Sequence, residues 1–320
     1  MAALDDTGKT LFTEALPARG HDTAVAPDGR TAVTFARRPG RFALVFDPLQ
    51  MRPAVAFEAA PGRHFYGHGF FSQDGRLLLA TENDYDGERG VIGLYDVAAR
   101  FRRVGEFETH GIGPHEALLL SGGRTLVVAN GGILTHPDFP RRKLNVPTMQ
   151  PSLVYIDIET GALLEQVGLP ADLHQLSIRH ITQAGDGQLG DGSVWFGGQY
   201  EGAATETVPL IGRHRRGQPI ELIGISADYH SRLRQYVGSI AASKNGAEIA
   251  VTSPRGGVAL VLDARRGEVL RSQSVDDVCG VASAARHFAF TTGQGAVRVS
   301  GLGGGTTSSA VQWDNHLLAI

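Results

Sequence analysis

The chain has a single cysteine, Cys279, in 320 residues, so no disulfide can form within it. No apolar run approaches the ~18 residues that a membrane-spanning helix requires. The opening MAALDDTGKT lacks the apolar stretch of a secretory leader, so the amino terminus does not announce export. Charge of one sign is also missing. The net charge is −3, and the densest basic stretch, Arg213-His214-Arg215-Arg216, is too short for a nucleic-acid footprint. There is no HExxH, no CxxCH, no Gly-rich phosphate loop leading into a helix and no GxSxG elbow. These absences remove zincin proteases, covalent c-type haem, P-loop nucleotide chemistry and the α/β-hydrolase nucleophile. No 3.6-residue periodicity lasts beyond about ten residues, so helices do not build the core.

What remains is apolar enough to fold, at 42% hydrophobic against 20% charged residues. Its 42 glycines suit a fold of many tight turns. The chain also repeats itself. The segments GHDTAVAPDGR, GHGFFSQDGR, PHEALLLSGGR and RHITQAGDG carry His21, His68, His115 and His180 at one place, ahead of a short apolar run and a Gly-containing turn. His21 to His68 and His68 to His115 are both 47 residues. A constant period in this range marks a repeat architecture, and side chains repeated in register should meet in space.

Within a repeat the pattern is strand, turn, strand, loop, strand, turn, strand, as in GHGFF, SQDG, RLLLAT, ENDYDGERG, VIGLYD and VGEFET. First strands are expected near residues 21, 68, 115, 178, 238 and 279. The fold class is all-β: a single β-propeller domain over 1–320, of four-stranded blades with six repeats traced. A seventh blade stays open if the tail after Ser300, or a long middle interval, supplies more strands. The segment TLFTEALP reads as an outermost strand closing the ring against the last blade. Third strands end in Asp47, Asp96, Asp157 and Asp263, each read as a turn-former bonding its own backbone.

In a propeller, first strands line the central channel. The histidines at their starts would share a face with the loops between second and third strands. Those loops are rich in functional groups, among them Arg37, Arg38, Asn83, Asp84 and Asp86. The longest runs from Ala129 to Ser152 and is expected to be ordered over the channel mouth, presenting His136, Asp138 and Arg141. Candidate ligand-binding residues are His21, His64, His68, His115, Glu116, His136, Asp138, Arg141, His180 and His316, with His68, His115, His136 and His180 as metal ligands. Imidazoles suit iron or copper, bare or as haem. Cys279 falls at the histidine register of the sixth repeat, either as a soft ligand or as a small buried hydrophobe. Asp22 and Glu116 adjoin two histidines, and strand alternation would turn them away.

The stretches RHFYGHGFFSQDGRLLLATEND, GIGPHEALLLSGGRTLVVANGGILTHPDFPRRKLN, MQPSLVYID and WDNHL resemble an uncharacterised family of bacterial periplasmic propellers with a YVTN-like fold, catalogued as a domain of unknown function, from about residue 9 to 320. The resemblance implies periplasmic localisation and a link to iron acquisition, with imelysin-type iron-uptake proteins and a dihaem protein as partners. It singles out His68, His115, Glu116, His136, Pro137, Asp138, Arg141, Asn145 and His316. Two functions follow. One is a binding or partner protein that holds a metal or haem in a histidine-lined mouth. The other is a metal-dependent enzyme, an oxidoreductase or a lactonase-like hydrolase. Neither reading involves nucleic acid.

Overall fold

The computed structural model describes residues 1–48, 52–139, 142–185, 192–284, 287–299, 306–309 and 311–318. The protein is an all-β propeller of six four-stranded antiparallel blades, each a simple meander. The first strands are Gly20–Val25, Arg63–Phe71, Pro114–Leu119, Leu176–Gln183, Ser239–Ala242 and Val278–Ala284, at the six places the repeat predicts. The chain divides into two compact units. One comprises Met1 and Glu14–Ile178 (with Ile320) and carries blades 1 to 3; the other comprises Ala2–Thr13 and Arg179–Ala319 and carries blades 4 to 6.

Two expectations about the termini change. Among the described residues the tail does not begin a seventh blade: Thr306–Ser308 is the fourth strand of blade 6, paired with Ala296–Arg298. TLFT is not an outer blade strand either. Thr10–Thr13 pairs with Ala2–Leu4 in a separate two-stranded sheet, and Thr307 Oγ1 donates to Thr7 O at 3.2 Å. Blade 6 already has four strands of its own, so the hairpin lies against its edge instead of completing it.

Why these segments form blades is clearest in the second one. In Leu77–Asp84, Leu78 and Ala80 face a core shared with blade 1, including Val33, Phe35, Val45 and Phe65. The intervening Leu79 faces a second core with Leu126, Val128, Val154 and Ile156 of blade 3. Alternate side chains leave a strand on opposite faces, so a strand covered on both faces is a continuous apolar run. Removing a large side chain from such a core costs about 2–5 kcal/mol. The turns after the first strands of blades 1, 2, 3 and 5 use glycine in the left-handed region, as at Gly75 (φ +70°), where Ser72 O accepts from Gly75 N at 2.9 Å. The third-strand aspartates close their own turns: Asp157 Oδ1 accepts from Thr160 N at 3.0 Å and Asp263 Oδ1 from Arg266 N at 2.8 Å. Among the described residues no helix is long and apolar enough to cross a membrane.

Candidate functional site

Three of the four in-register histidines meet in the first unit. The ring centroids of His21 and His68 are 4.8 Å apart, of His68 and His115 5.1 Å, and of His21 and His115 5.9 Å. One ring nitrogen from each lies within 4.8 Å of the others. His68 is fully buried, and its neighbours are half-buried.

The strands that carry these rings are all irregular where the rings sit. Pairing with the second strand shifts register between Gly20 and Thr23, between Phe65 and Gly69, and between Pro114 and Glu116. A bulge inserts a residue and re-aims the side chains around it. In blade 2 the irregularity is enabled by Gly67, at φ +107°. A Cβ there would lie 2.5 Å from His21 Cδ2 and 2.7 Å from His21 Cβ, so Gly67 makes the space in which His21 packs against blade 2. The strand consequently continues past the irregularity. It begins at Arg63, and His68 stands in its middle and not at its start.

The same irregularities overturn the expectation for the carboxylates. Asp22 does not turn away from the cluster; its Oδ2 lies 3.1 Å from Nδ1 of His68, one blade over. Glu116 acts electrostatically on the same ring. Burial pulls the His68 pKa down, but Glu116 and the hydrogen bond that the ring donates to Asp22 outweigh it against a smaller opposing effect of Arg37, and the ring is held above its ordinary value. In the neutral ring that donates Nδ1–H to Asp22, Nε2 would carry the lone pair a metal takes. Metal-ligating histidines are generally oriented by a carboxylate in this way. Asp22 was therefore hidden from sequence reasoning, because its partner is 46 residues distant and the alternation rule fails at a bulge.

His64, four residues before His68, has a different environment. Its Nδ1 faces Phe65 O at 3.0 Å, and its Nε2 faces Asn83 Nδ2 at 3.1 Å. One tautomer satisfies both: Nδ1–H donates to the carbonyl and Nε2 accepts from the amide. Burial lowers its pKa to about 4, with Arg38 and His136 reinforcing the shift and the carbonyl opposing it. Asn83 also donates to Thr135 O at 3.0 Å, which ties the strand to the long loop.

That loop spans 131–151, since Thr125–Asn130 and Ser152–Asp157 are strands. It is internally braced. Asn145 Oδ1 accepts from Leu134 N at 2.7 Å, and its Nδ2 donates to Gly132 O at 2.8 Å; Ile133 and Met149 are buried. His136 does not join the three-ring cluster. It lies against Tyr85 at 5.2 Å, with Asp138 3.6 Å and Asp86 3.8 Å from its nitrogens. Arg141 lies outside the described residues.

Below the loop, blade 2 is clamped by charge. Arg63 reaches Asp84 at 2.8 Å and Glu106 at 2.9 Å, while Arg103 pairs with Glu106 at 2.7 Å and with the fully buried Glu82 at 2.9 Å. Tyr95 donates to Glu82 as well. A buried carboxylate is tolerated only when paired in this manner. The network fixes the strand end from which His64 and His68 extend.

His180 and His316 lie in the second unit, with ring centroids 4.9 Å apart. Cys279 resembles a buried apolar residue more than a thiolate. Its Sγ donates to Asp277 O at 3.1 Å, and burial, reinforced by Asp277, pushes the thiol up to about 12.

A family model described as a protein of unknown function, DUF1513, matches residues 14–320. No curated protein matches the chain. Among solved structures, a chain of hydrazine synthase from Kuenenia stuttgartiensis is similar at 17% identity and a TM-score of 0.61, over 82% of this chain and 69% of that one. At that identity the likeness speaks for the fold.

Proposed function

The chain belongs to the DUF1513 family, and from that premise we propose that it is a metal-binding propeller protein, with His21, His68 and His115 as the ligands of a transition-metal ion. The observation that supports this reading is the convergence of three imidazoles, one of them buried and oriented through Asp22. Four-coordinate metal sites hold nitrogens at ~2.1 Å from the ion and hence ~3.4 Å from one another. The 4.8 Å limit here is wider by little more than an ångström, a distance that small side-chain rotations close. Three nitrogen ligands leave a fourth position for water or an exogenous ligand. Imidazole suits iron, copper and zinc alike. His68 stands within 5.1 Å of both other rings, inside the space a porphyrin between them would occupy, which favours an ion over haem.

The resident role in this reading is to hold or hand on metal, in line with the periplasmic iron-acquisition link that the sequence resemblance implies. The test is calorimetry and elemental analysis with Fe(II), Cu(II) and Zn(II) on the wild type and on H21A/H115A. Binding by the wild type and loss of at least a hundredfold in affinity by the double variant are expected. Equal binding by both folded proteins would remove this cluster as the site. Turnover of a redox substrate by the metal-loaded wild type would move the reading to the enzymatic alternative.

A further inference from the structure

The carboxy-terminal segment WDNH, within 311–318, forms no strand, yet it is held by specific contacts. Asn315 is buried, and its Nδ2 donates to the hydroxyl of Tyr236, whose ring lies under the guanidinium of Arg255 at 4.8 Å. On the other side, the backbone of His316 and Leu317 runs against Gly280 in the first strand of blade 6. A Cβ on Gly280 would come to 3.0 Å from His316 C and Leu317 N, so glycine is what allows the segment so close. These two anchors bracket His316 and present its ring to His180.

His180 is itself rigidly placed. It is 2% exposed in the strand Leu176–Gln183, and two residues on, Thr182 Oγ1 accepts from Ala242 N of the next blade at 3.0 Å. A ring nitrogen of His180 and one of His316 lie within 4.8 Å of each other. Imidazole nitrogens at this spacing can be brought onto one ion by small side-chain rotations. A segment without regular structure is thus pinned by a buried amide and a glycine contact so that it sets one histidine beside another.

We infer that His180 and His316 form a metal-binding pair for a divalent ion of the copper or zinc type, with the carboxy-terminal segment acting as the strap that supplies the second ligand. The pair is tested with variants that leave His21, His68 and His115 in place, so its fate and that of the proposed function separate in one experiment. Titration of Cu(II) and of Zn(II) into wild type, H180A, H316A, N315A and H21A/H115A is read by calorimetry, by elemental analysis after desalting, and for Cu(II) by the number of nitrogens in the electron paramagnetic resonance spectrum. Circular dichroism melts check folding. H316A and H180A should each lose one bound equivalent or at least tenfold in affinity, with fewer copper-coupled nitrogens. N315A, which keeps both rings but frees the strap, should weaken binding by a smaller factor. A folded H316A with wild-type stoichiometry, affinity and nitrogen count would overturn the inference and leave the pair as a hydrogen-bonded contact. Loss in H21A/H115A alone supports the three-imidazole site without this pair; loss in H180A and H316A alone supports the pair without that site.

Discussion

His64 and His68 lie on one strand, are both buried, and are chemically opposite. At the His64 end the backbone is regular, and both ring nitrogens are engaged by Phe65 O and Asn83. At the His68 end, beyond the irregularity at Gly67, one nitrogen is held by a carboxylate from the preceding blade and the ring packs against two further imidazoles. Desolvation acts on both rings. At His64 nothing of negative charge opposes it, so the pKa drops to about 4; at His68 two acids overturn it. Burial alone therefore says little about what a histidine does. The sign of the charges around it decides which protonation state burial leaves it in.

The comparison can be broken most directly by reciprocal substitution. H68A should lose metal affinity by a hundredfold or more and H64A should keep it, while both variants, each losing a buried and hydrogen-bonded ring, should lower the melting temperature. Calorimetry and thermal melts on the two variants check this, and matching metal affinity in both would erase the distinction. Next in size is an acid effect at His64. Its folded pKa of about 4 lies below the unfolded value near 6.5. Between these values the unfolded chain binds the extra proton, so stability falls as pH falls through that window, by about 3 kcal/mol in all at ~1.36 kcal/mol per unit. Denaturation in urea at pH 7 and pH 4 should show a loss of that order in the wild type that is largely missing in H64Q.

Gly67→Ala should cost about 2–3 kcal/mol, since it places a side chain in the left-handed region and against His21. Urea denaturation measures the loss, and metal affinity should drop with it as His21 is displaced. Asp22→Asn keeps the shape but weakens the orientation of His68, and a tenfold to hundredfold loss of metal affinity is expected; an unchanged affinity would mean that the carboxylate serves only the fold. The smallest effect is at the loop. Wild-type protein should resist limited proteolysis across 131–151, and Asn145→Ala, removing two backbone bonds, should cost about 1–2 kcal/mol and open that loop to cleavage first.

The blades were legible because each repeat carries its own punctuation. The left-handed glycine of the turn, the apolar run and the terminal aspartate are local requirements, and they appear at Gly29, Gly75, Gly123 and Gly246 as spaced in the chain. The hairpin Ala2–Thr13 was misassigned because a lone strand carries the same local signals as a blade strand; only its partner distinguishes them. The long loop was legible as a long insertion between two strands, but its anchors were not. Asn83 and Thr135 are 52 residues apart, and an asparagine at a strand end reads as a turn residue.

For the site, the 47-residue spacing was sufficient to place His21, His68 and His115 together, because equal periods in equivalent blades superpose equivalent positions. Which nitrogen of which ring faces a neighbour followed from bulges, and a bulge has no reliable one-dimensional signature beyond a glycine such as Gly67. The pairing of Asp22 with His68 and the strap that carries His316 to His180 depend on chain segments 46 and 136 residues apart in sequence. The sequence by itself determined the repeat, the blade strands and the set of imidazoles, since those follow from local backbone preference and period. The tertiary structure alone decided their protonation, orientation and company, because electrostatic and hydrogen-bonding partners are chosen by distance in space, which register shifts of a single residue can reverse.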